Sequence, residues 1–225
     1  MAGGGSSGSG GTRRVMVFID GGYLRKNLKD LLGHEIINYD RLVNELRIFT
    51  SYGNLFPELI RAYYYDAKLK AEDVDVLRVN NGDLDSVDLE NLSPKYDRLR
   101  SQLLEQESFL RQLKNYDYFE VRLGRLKIDR TGSFKQKGVD VLISIDMISK
   151  AYENHYDVAV LLSGDEDLLD IVNAVKDTGK RVFGVYFENH ISNELKDSFD
   201  KRKILDLEFV KTIMPASKRR EQFNE

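Results

Sequence analysis

The chain has 225 residues, 41% hydrophobic and 32% charged, with a formal net charge of -3, which suits one soluble globular domain with a substantial core. It contains no cysteine, so disulfides and thiolate-bound metals are excluded, and any polyanion must be met by a local patch rather than by overall charge. The three histidines, His34, His155 and His190, lack helical zinc spacing. No apolar run approaches the ~20 residues of a membrane span, and the expected location is the cytoplasm.

Residues 1–12 are nearly all glycine and serine and read as a flexible linker of the kind added for expression, outside the fold. The domain is expected over 13–210, with a polar and helical insertion at 68–115 and a C-terminal tail at 211–225. Val15-Met16-Val17-Phe18-Ile19 is a continuous apolar run, the mark of a strand buried on both faces. It ends in Asp20-Gly21-Gly22, where paired glycines permit a tight turn and close approach by a ligand. Helices are predicted from Tyr23 to Leu32 and from Asp40 to Phe49, followed by a strand from Ile60 to Tyr65. From Pro94 to Asn115, Tyr96, Leu99, Leu103, Leu110 and Leu113 repeat at helical spacing, and such a stripe is more often core than partner surface.

A strand is predicted from Tyr118 to Leu123. Arg122, Arg125, Lys127, Arg130, Lys135 and Lys137 then lead directly into Gly138-Val139-Asp140. Val139 to Tyr152 has a helical pattern, with Asp140 in its first turn, where the helix dipole favours negative charge. Asp146 lies six residues on, displaced about 120° around the helix, and is read as a structural or supporting acid. Val158-Ala159-Val160-Leu161-Leu162 is another buried-type strand, broken by Ser163-Gly164 before a helix carrying Asp165 and Asp167. A further strand spans Arg181 to Phe187. The end of the chain, Ser217 to Glu225, is expected to fray.

Strands alternating with helices imply a mostly parallel, doubly wound α/β sheet, and ligands bind such sheets at the carboxyl ends of the strands. Asp20 and Asp165 follow two strands that would be neighbours, and Asp140 can face the same edge. Asp20, Asp140, Asp165 and Asp167 would then form one acidic pocket. Clustered carboxylates repel unless a cation neutralises them, and two-metal phosphodiester hydrolysis uses such clusters. The neighbouring basic run would hold a phosphate backbone. A haloacid-dehalogenase-type phosphatase needs a second Asp two residues after Asp20; Gly22 stands there and excludes it.

Phe18-Ile19-Asp20-Gly21-Gly22-Tyr23-Leu24, Lys137-Gly138-Val139-Asp140 and Ser163-Gly164-Asp165-Glu166-Asp167-Leu168 resemble three signatures of NYN domains, the LabA-like branch of the PIN-like nuclease superfamily. The order and spacing fit, and the resemblance extends from Arg14 to Leu207. It implies a three-layer α/β/α fold with a parallel sheet of about five strands and Mg²⁺- or Mn²⁺-dependent endoribonuclease activity on single-stranded or structured RNA. Asp20, Asp140 and Asp165 match the family's metal-binding acids, with Asp167 as the fourth. On this reading Ser163, Tyr23, Arg122, Arg125, Lys127, Lys135 and Lys137 contact substrate, and Asp146 supports the site. Tyr23 stands where many members have Asn, and Glu166 is an additional carboxylate. These departures, with the enlarged insertion, motivate an alternative: an RNA-binding or regulatory module without turnover. The insertion at 68–115 would serve as a lid, a protein-partner surface or a homodimer contact.

Overall fold

The computed structural model describes residues 11–68, 101–128 and 134–223. Strand β1 (Thr12–Asp20) is the centre of the sheet. Its side chains alternate between the two sides, Val15, Val17 and Ile19 entering one apolar cluster and Met16 and Phe18 the other. Both sets are buried because helices cover both faces, which is why the strand reads as continuously apolar.

After β1 come helices α1 (Gly21–Leu32) and α2 (Tyr39–Phe49), then strand β2 (Phe56–Lys68). Helical residues 101–113, here α3, lead into β3 (Phe119–Ile128) and β4 (Phe134–Lys137). The rest alternates regularly: α4 (Val139–Tyr152), β5 (Val158–Leu162), a short turn of 3-10 helix at Glu166–Leu168, α5 (Leu169–Asp177), β6 (Arg181–Tyr186), α6 (Asn193–Ser198) and β7 (Lys201–Ile204), ending in α7 (Leu207–Ile213) and α8 (Ala216–Phe223).

The described residues form seven strands in the order β4-β3-β2-β1-β5-β6-β7. Six run parallel, and β4 alone is antiparallel, paired to β3 at the edge. Helices α1, α2, α3 and α7 pack on one face, and α4, α5 and α6 on the other. This is the expected α/β/α sandwich, with six parallel strands rather than about five. The additional strand is β7, whose Lys201, Arg202 and Lys203 lack an apolar pattern because an edge strand needs none, and its cations also deter edge-to-edge pairing.

The chain builds outward from β1 through β2 and β3, then crosses back to β5 on the other side. The boundary between β1 and β5 is therefore the topological switch point, where open α/β sheets bind ligands. In α3, Leu110 and Leu113 are buried, and Phe109 packs on Tyr39 and Tyr64, so this end of the apolar stripe is core, as its spacing predicts; residues 69–100 lie outside the described residues. One other expectation changes. The tail does not fray before 223: Gln222 donates to the Leu32 carbonyl at 2.9 Å, and Phe223 packs on the core. Among the described residues no helix is long and apolar enough to cross a membrane.

Candidate metal centre

Asp20 is the last residue of β1 and the N-cap of α1. One carboxylate oxygen accepts from the Tyr23 backbone N–H at 3.0 Å, and the other accepts from Ser163 Oγ at 3.2 Å. The cap explains why β1 stops at Asp20: the carboxylate satisfies a donor that the first helical turn leaves open. Ser163, immediately after β5, is fully buried, and its hydroxyl oxygen also accepts from the Asp165 N–H at 3.3 Å. Asp165 repeats the device, capping the next turn by accepting from the Asp167 N–H at 3.1 Å. A chain of local hydrogen bonds thus runs from Asp20 through Ser163 to Asp165 and Asp167.

Asp140 enters from the opposite helical layer, in the first turn of α4. Asp140, Asp165 and Asp167 each present a carboxylate oxygen within 4.8 Å of the others, with Asp140 half-buried and the other two exposed. Asp20 stands apart from this trio but is coupled to it. Burial pushes its carboxyl up to about 6, and the charges of Asp140 and Asp165 push the same way. The Asp140 carboxyl is also raised, by burial first and then by Asp165 and Asp167. All donors here are carboxylate oxygens, the ligand type of hard divalent cations. The neighbouring negative charge that adds to burial in raising the Asp20 and Asp140 carboxyls is what a cation would relieve.

The other predicted contacts separate into distinct roles. Tyr23 accepts from the Phe187 N–H at 2.9 Å through its hydroxyl oxygen, and its ring meets Phe187 edge-on. A Cβ at Gly164 would collide with that ring and with the His190 carbonyl, so Tyr23, Gly164 and the turn after β6 form one close-packed unit. This turn, 187–192, had no motif to reveal it. Gly21 is likewise needed for packing rather than for a ligand, because a Cβ there would strike the Tyr64 ring. Ser163, fully buried, orients Asp20 and Asp165 and presents no surface to a substrate.

Arg122 is engaged in ion pairs, 3.0 Å from Glu120 and 3.5 Å from Asp146. Asp146 also accepts from the Tyr65 hydroxyl at 2.9 Å and from Lys150 at 2.6 Å, which makes it a fixture of the α4–sheet interface. Arg125 is exposed on β3, and the backbone register pairs it with Lys137 and pairs Lys127 with Lys135 on β4.

One buried charge was missed. Asp66, at the end of β2, follows Tyr65, the register partner of Asp20. It is only 2% exposed, and Arg25 Nη2 on α1 reaches it at 2.9 Å. Its carboxylate also accepts from the Ala67 N–H at 2.8 Å, and burial raises its pKa although Arg25 opposes the shift. An acid at a buried strand end was the available signal, but its partner, forty-one positions away, has no local signature.

A solved protein of unknown function from Vibrio parahaemolyticus RIMD 2210633, VPA0982, shares this fold with a TM-score of 0.58 and 20% identity, over 88% of this chain and 96% of that one. No curated protein matches the sequence. The NYN domain matches residues 14–207, and the chain belongs to that family.

Proposed function

We propose that this NYN protein, of the LabA-like branch, is a divalent-metal-dependent endoribonuclease whose site comprises Asp20, Asp140, Asp165 and Asp167. The observation that carries the reading is the convergence of Asp140, Asp165 and Asp167 within 4.8 Å at the sheet's switch point. A Mg²⁺ or Mn²⁺ ion held there supplies activation of water and charge neutralisation at a phosphodiester. The NYN family is nuclease-like and RNA-related, which makes RNA the substrate of this reading.

The chain's own residues supply the positioning. Ser163 and the Tyr23 N–H fix both oxygens of Asp20, so the buried carboxylate need not reorganise when charge develops nearby. The Asp167 N–H restrains Asp165 in the same way. Arg125, Lys127, Lys135 and Lys137 bind the substrate's backbone phosphates, and Arg122 is excluded from that set by its ion pairs with Glu120 and Asp146.

The test is cleavage of a labelled single-stranded RNA with Mn²⁺, Mg²⁺ or EDTA, using wild type beside Asp20→Asn and Asp165→Asn. Metal-dependent cutting lost in both variants is the expected result, and equal cutting by wild type and variants overturns the assignment. A second reading, an RNA-binding module without turnover, is favoured by Tyr23: its hydroxyl is committed to Phe187, so position 23 offers the site no polar side chain. RNA binding by a folded wild type without cutting supports that reading.

A further inference from the structure

Helix α4 turns charged residues toward the sheet and apolar residues toward solvent. Val139, Ile143, Met147 and Ala151 are buried, as expected of the face that meets the sheet. Beside them Asp146 and Lys150 pair with each other at 2.6 Å, their side chains only 13% and 14% exposed. On the outer face Val141 is 59% exposed, Ile145 56% and Tyr152 74%, and Ile148 is half-buried. Successive helical residues turn by about 100°, so these four side chains fall within about 60° of arc. Ser144 and Ser149 flank the stripe, and the outward half of the helix carries no charged residue. Other helices behave differently: exposed positions include Lys26, Lys29 and Asp30 on α1, and Asp170, Asn173 and Asp177 on α5.

A helix with apolar residues on both its inner and outer faces is one that is covered on both, and a contiguous exposed apolar stripe marks an interaction surface. The pattern of this stripe fits a second copy of itself. Its spacing of four, three and four residues is that of a coiled-coil seam. The spacing is also symmetric about a midpoint between Asp146 and Met147. A two-fold axis at that midpoint sets Ile145 opposite Ile148 of the second copy, and Val141 opposite its Tyr152. The smallest side chain of the stripe then meets the largest, and two isoleucines meet in each central layer, as interdigitating layers require. The outward half being uncharged, pairing buries no unpaired ion, and the small serines on both flanks let the helices approach closely. The seam is about 17 Å long, and one helix face per copy stays below the roughly 1,600 Å² of a standard interface. Such a dimer dissociates on dilution.

We propose that the outer face of α4 is a self-association surface, pairing antiparallel with α4 of a second copy of this chain about a two-fold axis. The axis sets the two Asp140 residues at opposite ends of the helix pair, about 20 Å apart along it, so each acidic cluster stays within one copy.

Sedimentation equilibrium of the full chain in EDTA, from about 1 to about 100 µM, reads the association. The weight-average mass of wild type should rise with concentration from that of the monomer toward twice that value. Ile145→Lys and Ile148→Glu should each weaken association at least about a hundredfold, because a two-fold interface carries every change twice. Their melting temperatures at about 1 µM, where monomer prevails, should stay within about 2 °C of wild type. An equimolar mixture of the two variants should recover the dimer. The antiparallel axis sets the introduced lysine against the introduced glutamate and leaves an isoleucine pair in the other central layer. Tyr152→Ala, at the end of the stripe, should weaken association about tenfold. A wild type that is monomeric throughout overturns the proposal, the face then belonging to another partner, and so do folded variants that associate like wild type. A mixture that stays monomeric overturns the antiparallel pairing. Neither metal nor RNA enters the measurement, so its outcome is independent of the nuclease reading.

Discussion

Ser163 Oγ donates to the buried carboxylate of Asp20 at 3.2 Å, joining the ends of the two central strands at the point where the chain reverses direction across the sheet. The same hydroxyl oxygen accepts the Asp165 N–H, so one small side chain orients two of the four acids. A buried acceptor that loses its donor keeps its full desolvation cost. Ser163→Ala should therefore lower unfolding stability by about 1–3 kcal/mol and weaken Mn²⁺ binding. Urea unfolding and a Mn²⁺ titration measure the two effects, and a variant as stable and as metal-responsive as wild type would show that the hydroxyl is dispensable.

The raised pKa of Asp20 has a consequence for stability. Its carboxyl sits at about 6 in the folded protein against an ordinary value of 3.8, so the folded state holds the proton more tightly than the unfolded state. Stability from this group is greatest at low pH, falls as pH rises from about 4 to about 6, and is flat above that. The difference corresponds to at most about 3 kcal/mol. In EDTA, Asp20→Asn should gain stability relative to wild type across this window. Urea midpoints measured from about pH 4 to 7 test this; a wild-type curve parallel to the variant's would remove Asp20 as the source.

Removing Arg25 from its pair with Asp66 acts in the opposite direction to Asp20→Asn. Removing Arg25 leaves a carboxylate that is 2% exposed without its cation, and breaking such a pair is more damaging than replacing both partners. Arg25→Ala should cost about 2–3 kcal/mol, and the double variant Arg25→Ala/Asp66→Ala should be less destabilised than the sum of the single variants. Additive losses in a double-mutant cycle would mean that the two groups do not interact.

The sequence makes β1 and β5 legible because both are buried on both faces, and it makes their adjacency legible because parallel strands place successive carboxyl ends on one edge. Asp20 and Asp165 follow from that. Asp140 was reachable because an acid in a helix's first turn points to that same edge of the sheet. What was not legible depends on contacts distant in sequence. Nothing local tells that Tyr23 is anchored by Phe187 or that Asp66 faces Arg25, and Gly21 suggested a ligand although the nearby bulk is Tyr64. Strand β7 was hidden because its Lys201-Arg202-Lys203 shows no buried face.

Metal loading should oppose the repulsion among the acids. Asp140 shares its cluster with Asp165 and Asp167, and both raise its pKa after burial does. Asp140→Asn removes one repelling charge, so in EDTA its melting temperature should equal or exceed that of wild type. A cation that binds only the folded state stabilises by RT ln(1 + [L]/Kd), about 2.7 kcal/mol at a hundredfold excess over Kd. Added Mn²⁺ at that excess should therefore raise the wild-type melting temperature by about 5–11 °C, and leave Asp140→Asn nearly unmoved. The two melting curves should cross: the variant is the more stable protein without metal and the less stable one with it. Scanning calorimetry in EDTA and in Mn²⁺ decides the matter. A wild type that ignores Mn²⁺ would mean that the three carboxylates, though within 4.8 Å of one another, do not hold a cation.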